Sequence, residues 1–159
     1  MARILIFGNS GSGKTTLAKR LSRDHVLAHL DLDELAWLKS NPPQRAPLEE
    51  SGKALKKFVE THNTWVIEGC YSDLLALLQN DADEIIFLNL PIELCAENAR
   101  QRTWEPHKYL SKQVQDKNLQ MLLDWIDQYE SREDVFSLSS HLAFFEQFAG
   151  KKQMLVENQ

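Results

Sequence analysis

The 159-residue chain has the length of one domain built on one core, and its 43% hydrophobic and 26% charged residues exclude a disordered protein. Its net charge of −5 comes without a dense cluster of lysines and arginines, which argues against a nucleic-acid surface and for small-molecule partners. The longest apolar runs, Ile4–Phe7 and Ile85–Leu88, are far too short to cross a bilayer, and the first residues do not read as a signal peptide. Cys70 and Cys95 have no CxxC partner, so the expectation is a cytoplasmic protein without membrane attachment or structural zinc, a monomer or weak homodimer. Lys53, Lys56 and Lys57 are the nearest thing to a basic patch and read as the solvated side of a helix.

Along the chain, Arg3–Phe7 reads as a buried strand closed by Gly8. A helix over Lys14–Ser22 follows, with Leu17, Ala18 and Leu21 on one face, and then a short strand at Ala28–Leu32. Asn41-Pro42-Pro43 and Pro47 mark a loop before a helix over Leu48–His62. Thr64–Glu68 reads as a strand, Asp73–Asn80 as a leucine-rich helix, and Glu84–Leu90 as an apolar strand. Pro91 opens a helix running through Cys95 toward Arg102. The periodicity of Leu119, Leu122, Trp125, Ile126 and Tyr129 predicts one long helix over Ser111–Glu130. A helix over Ser140–Ala149 stops at Gly150, and Gln153–Glu157 is a last strand candidate. Strands alternating with helices imply one α/β domain around a parallel sheet covered on both faces.

Gly8-Asn9-Ser10-Gly11-Ser12-Gly13-Lys14-Thr15 matches the phosphate-loop pattern G-x-x-x-x-G-K-[ST] in full, between a predicted strand and a predicted helix. Glycines let backbone N–H groups curl around a phosphate, and the helix N-terminus adds its unpaired N–H groups and dipole. Lys14 brings a point charge to the β- and γ-phosphates, and the Thr15 hydroxyl is a candidate Mg²⁺ ligand. Gly8 to Thr15, with Thr16 after them, are the candidate nucleotide-binding residues.

Ligands of open α/β sheets gather beyond the carboxyl ends of the strands. The second strand ends in Asp31-Leu32-Asp33 and the third in Glu68-Gly69-Cys70-Tyr71. Asp31 and Asp33, two apart, share one side of an extended backbone, where one carboxylate could serve a metal and the other accept a substrate proton. The alternative is that Asp33 caps the helix containing Glu34 and Leu35. Asn89 ends the fourth strand, where many phosphate-loop proteins carry an aspartate; either Asp31 takes that work or metal binding is weaker than usual. Arg100, Arg102, His107 and Lys108 surround Thr103-Trp104-Glu105-Pro106 and read either as a mobile segment closing over ATP or as a plain basic helix end. Trp104 is the better candidate among the tryptophans for stacking on a ligand, whereas Trp65 and Trp125 lie on core-like faces and His29 and His141 receive no role.

The stretches GNSGSGKTTLA, HLDLDELAW, WVIEGCYSDLL, IIFLNLP, ARQRTWEPHKY and SREDVFS resemble the small P-loop kinases related to adenylate and shikimate kinases. The chain resembles more closely bacterial proteins described as small AAA-type ATPases or shikimate-kinase-like proteins. That resemblance implies a three-layer P-loop NTPase fold with a five-stranded parallel sheet, an adenine nucleotide (ATP) with Mg²⁺, and a helical lid at roughly residues 100–112. It implies Asp31 for the metal and Asp33 for the substrate hydroxyl, with Arg45 and the turn Glu68, Gly69, Tyr71 facing the acceptor. Lys14 and Asp33, with Arg100 or Arg102 acting from the lid, would then carry catalysis. The chain differs from shikimate kinases in keeping only Gly69 of a glycine run, in its lid arginine spacing and in Asn89, which counts against shikimate as acceptor. The resulting expectation is a kinase for a small-molecule hydroxyl or phosphate; a nucleotide-sensing module and a slow ATPase are the alternatives.

Overall fold

The computed structural model describes residues 2–159. In chain order the elements are β1 (Arg3–Gly8), α1 (Lys14–His25), β2 (Ala28–Asp31), α2 (Asp33–Ala36), β3 (Trp37–Leu38), β4 (Gln44–Arg45), α3 (Leu48–Thr61) and β5 (Trp65–Glu68). They continue with α4 (Ser72–Leu77), β6 (Glu84–Leu88), α5 (Ile92–Arg100), α6 (Lys112–Lys117), α7 (Leu119–Asp127), α8 (Leu138–Gln147) and β7 (Lys151–Leu155). β2, β5, β1, β6 and β7 form, in that order, a five-stranded sheet whose every pairing is parallel. The fold is the three-layer P-loop NTPase arrangement that the resemblance implied.

Strand alternation builds the layers. In β1, Leu5 and Phe7 point to one face and Ile4 and Ile6 to the other, as the two-residue period of a strand requires. The Leu5–Phe7 face packs on Leu55 of α3, Leu74 and Leu75 of α4, and Phe144 of α8. The Ile4–Ile6 face packs on Leu17 and Ala18 of α1, Cys95 and Ala99 of α5, and Ile126 of α7. β1, central and completely covered, leaves the next strands to fill one side and the last two the other. The strand order therefore reverses at β1, and the crevice of such a sheet opens at its carboxyl end. Among the described residues, no helix is long and apolar enough to cross a membrane.

Two local expectations are corrected. The single long helix over Ser111–Glu130 is two helices, α6 and α7, divided at Asn118. The Asn118 side-chain amide donates to the Val114 carbonyl at 2.8 Å, a carbonyl its own backbone N–H also contacts at 3.2 Å. An asparagine that competes in this way for helical carbonyls favours a break. The proline-rich loop contains a small antiparallel hairpin, with Trp37 facing Arg45 and Leu38 facing Gln44.

The sheet's apolar face also buries a polar chain that runs toward the strand ends. His141, fully buried, contacts the Cys70 carbonyl through Nε2 at 2.8 Å and the Tyr129 hydroxyl through Nδ1 at 2.6 Å. A carbonyl only accepts, so Nε2 carries the proton and Nδ1 accepts from the Tyr129 hydroxyl; the ring is neutral. Burial pushes the imidazole down from 6.5 to about 4. The unfolded chain thus binds the extra proton first, and stability is lost as pH falls from 6.5 through about 4. The shift corresponds to about 3 kcal/mol. Asp31 works in the opposite sense within the same window, because burial and its anionic neighbours push its carboxyl up from 3.8 to about 6. The measurement is therefore a difference: thermal unfolding of the native protein and of His141→Gln from pH 7 to pH 4.5. The variant is expected to melt lower at pH 7 but to lose less on acidification; equal acid slopes would show that His141 is not the source.

Candidate functional site

The phosphate loop leaves β1 at Gly8 and enters α1 at Lys14. Gly11 and Gly13 have φ of 79° and 90°, in the left-handed region that side chains disfavour. A Cβ on Gly11 would stand 2.3 Å from the Cys95 carbonyl oxygen, so the loop lies directly on the backbone of α5. Asn98 of α5 donates to the Gly11 carbonyl at 2.8 Å, and Asn9 donates to the Ile126 carbonyl of α7 at 3.2 Å. The first turn of α1 has no side-chain cap and no acidic residue, which leaves its N–H groups and positive dipole end free for an anion. Lys14 reaches back to the Asn9 carbonyl at 2.8 Å.

Above the loop opens a cavity of about 580 Å³, within the usual size of ligand pockets. Ser10, Gly11, Gly13, Lys14, Thr15 and Thr16 line it; Gly8, Asn9 and Ser12 shape the loop from behind and do not. The strand ends contribute Asp31, Asp33, Glu68, Gly69 and Cys70. Strand register places Asp31 of β2 directly beside Glu68 of β5.

Glu68, almost fully buried, accepts a hydrogen bond from the Thr15 hydroxyl at 3.0 Å and pairs through its other oxygen with His29 Nε2 at 2.9 Å. Asp31 accepts from the Asp33 backbone N–H at 2.9 Å. Its carboxyl is pushed up to about 6 by burial and by the negative charges of Glu68 and Asp33, a rise that Lys108 only partly offsets. Asp33 accepts from the Tyr71 hydroxyl, which in turn accepts from Trp37 Nε1 at 2.8 Å. Burial pushes the Asp33 carboxyl up, but Lys108, the Tyr71 hydroxyl and Lys14 together hold it below its ordinary value. Asp33 is the first residue of α2 and its side chain does not cap that helix, whose N-cap is Leu32.

The segment between α5 and α6 closes one side of the cavity with Arg102, Thr103, Glu105, Lys108 and Tyr109. It consists of turns held by Gln115, which accepts from the Glu105 N–H at 2.8 Å and donates to the Thr103 carbonyl at 3.0 Å. Arg102 lies 3.4 Å from Glu105, whereas Arg100 pairs with Glu97 on the exposed side of α5 and does not line the cavity. Trp104 is half exposed, donates to the Tyr109 carbonyl and also lies off the cavity. Arg45 pairs with Asp73 at 3.1 Å and lies over the Tyr71 ring; both it and Tyr71 stand behind Asp33 rather than on the wall. Asn89 follows β6 and donates to the Met154 sulfur, away from the loop, so the carboxylate next to Thr15 is Glu68.

Sequence reasoning left Lys108, Glu105, His29 and Asn98 without a site role. Lys108 was legible only as one basic residue among several in the segment; His29 and Asn98 carry no motif, because their partners lie 39 and 87 positions away. The C-terminal Asn158 exchanges amide hydrogen bonds with Asn98 at 2.7 and 3.2 Å and, with Gln159, lines the cavity.

The Bacillus subtilis (strain 168) protein named Uncharacterized protein YqaC is 27% identical over 130 residues, covering 80% of this chain and 72% of that protein. Residues 4–119, which contain the phosphate loop, both strand-end carboxylate groups and the closing segment, match the family described as AAA domain. The chain belongs to that AAA domain family of P-loop NTPases.

Proposed function

We propose that the chain is an ATP- and Mg²⁺-dependent phosphotransferase acting on a hydroxyl or phosphate of a small molecule, one domain with a lid at residues 100–112. Family membership supports nucleotide binding. The observation that carries transfer is Asp33: its carboxylate shares one cavity with Lys14 and Thr15, and Tyr71 and Trp37 fix its direction. A side chain held so from behind is oriented toward a ligand and not toward its own helix.

The oxygen donors fit Mg²⁺. The Thr15 hydroxyl, Glu68 and Asp31 gather hard oxygen ligands at the mouth of the loop. Among the described residues no group of three or more His, Cys, Asp or Glu could hold a metal by itself, which suits an ion shared with phosphate oxygens. Thr15, Asp31 and Glu68 would hold it, and when bound it neutralises charge on the β- and γ-phosphates.

The loop N–H groups and the α1 N-terminus orient the triphosphate, and Lys14 adds charge to the group being transferred. Asp33 accepts the proton of the acceptor hydroxyl as that oxygen bonds to the γ-phosphorus. The bond from γ-phosphorus to the bridging oxygen breaks, and ADP leaves. Arg102 and Lys108 cover the transferred group from the closing segment and keep water from it. A nucleotide-sensing module would have Asp33 as a helix cap and Arg45 in solvent; instead α2 has no side-chain cap and Arg45 is paired with Asp73.

The test is ADP release from Mg²⁺-ATP, alone and with pools of nucleosides, nucleotides, sugars and shikimate-like acids. Stimulation by one pool is expected. A flat, slow background in every pool with tight ATP binding would replace this reading with the sensing module. Lys14→Ala is expected to abolish turnover by removing charge from the transferring phosphoryl group. Asp33→Asn is expected to keep ATP affinity within about twofold while lowering kcat by about 100-fold or more, the scale of general base catalysis. Unchanged turnover in Asp33→Asn would remove Asp33 as the base.

A further inference from the structure

Lys108 is the one side chain of the closing segment that reaches the strand-end carboxylates. Its ammonium lies 3.0 Å from Asp33, 3.8 Å from Asp31 and 3.5 Å from Glu105. The other basic residues nearby face elsewhere: Arg102 and His107 toward Glu105, Arg100 toward Glu97. A tight turn sets this up, because the N–H groups of Lys108 and Tyr109 both donate to the Glu105 carbonyl at 3.0 Å. Glu105 and Lys108 are therefore presented by the lid as one unit, three-quarters covered at the lysine.

Asp31, Asp33 and Glu68 line one wall, and a group of carboxylates so close needs positive charge from some source. A divalent ion bound with nucleotide phosphates would supply it. In this structure a single lysine supplies part of it from the lid. The same ammonium cannot keep all its carboxylate contacts while a hydrated divalent ion binds Asp31, since two cations would then crowd one carboxylate pair.

We propose that Lys108 is a built-in stand-in for the divalent cation: it latches the lid onto Asp31 and Asp33 until Mg²⁺ displaces it, and it then turns to the phosphate oxygens of the incoming nucleotide. The inference rests on the proposed Mg²⁺-nucleotide site but not on phosphoryl transfer. The latch spares the strand-end edge an uncompensated cluster of negative charge. It also makes lid release depend on the metal as well as on the nucleotide.

The experiment compares the full native chain with Lys108→Gln and Lys108→Arg, all checked for equal thermal unfolding within a few degrees. Mg²⁺ alone is titrated by calorimetry, and amide exchange of residues 101–111 is followed by mass spectrometry with and without Mg²⁺. Lys108→Gln is expected to bind Mg²⁺ about tenfold more tightly than the native chain, since it removes a competing cation. Its 101–111 segment is expected to exchange faster in the absence of metal. Mg²⁺ is expected to speed exchange of that segment in the native chain and in Lys108→Arg, and to leave it unchanged in Lys108→Gln. Equal Mg²⁺ affinity in native and Lys108→Gln proteins, or native exchange indifferent to Mg²⁺, overturns the latch. Absence of Mg²⁺ binding to every protein overturns the latch and leaves standing a metal site completed by nucleotide phosphates. A protein that shows the affinity and exchange changes but phosphorylates no acceptor retains the latch and loses the phosphotransferase reading.

Discussion

Parallel pairing of β5 with β1 on one side and β2 on the other puts Glu68 level with Ile6 and with Asp31 at the carboxyl edge of the sheet. The loop that leaves β1 two residues later then delivers Thr15 to Glu68 across 53 positions of sequence. A slip of one residue in either pairing would turn Glu68 to the opposite face and separate it from Thr15. The buried strands resist that slip, since β1 and β5 are covered on both faces by apolar side chains. The site's geometry is thus a consequence of core packing below it.

The charge arrangement runs against that packing. Three carboxylates meet at the edge of an apolar sheet, and burial with mutual repulsion leaves Asp31 well above an ordinary aspartate. Relief comes from several sides: the Thr15 hydroxyl and His29 on Glu68, the Tyr71 hydroxyl on Asp33, and the ammonium of Lys108. Lys108 is itself pushed above its ordinary value, because Asp33, Asp31 and Glu105 outweigh the opposite effect of burial. Each of these partners comes from a different element, so the acidic edge also ties the segment between α5 and α6, the turn before α4, and α1 to the sheet. Fold stability and site electrostatics are coupled at this edge.

Much of the architecture was legible in the residues. Short β-branched and aromatic runs marked β1, β5 and β6, and the glycine spacing marked the loop; β2 and β7 carry no such run, and the last strand begins two residues before the expected Gln153. The division of α6 from α7 was not legible, because the apolar period continues across Asn118 and only a side-chain hydrogen bond interrupts the helix. The β3–β4 hairpin escaped for a similar reason: strands of two residues carry no period, and prolines hid them. Arg100 and Arg102 looked equivalent in the chain, yet α5 ends at Arg100, which pairs with Glu97 on the surface, and the chain beyond it carries Arg102 to the cavity.

What the sequence by itself determined is local chemistry. A glycine-rich loop ahead of a helix needs only neighbouring residues to point N–H groups at a phosphate, so Gly8 to Thr15 could be read directly. Asp31 could likewise be read at a strand end, but the extended backbone expected through Asp33 is absent, because Leu32 already turns helical and Asp33 opens α2. The tertiary structure alone decided which carboxylate meets Thr15, that Asn89 turns to Met154, and that Lys108 of the segment between α5 and α6 meets Asp33. Those contacts depend on strand order and on how the turn at Glu105–Tyr109 seats against the sheet. No spacing along the chain encodes either, because each joins residues whose proximity exists only once the core has packed.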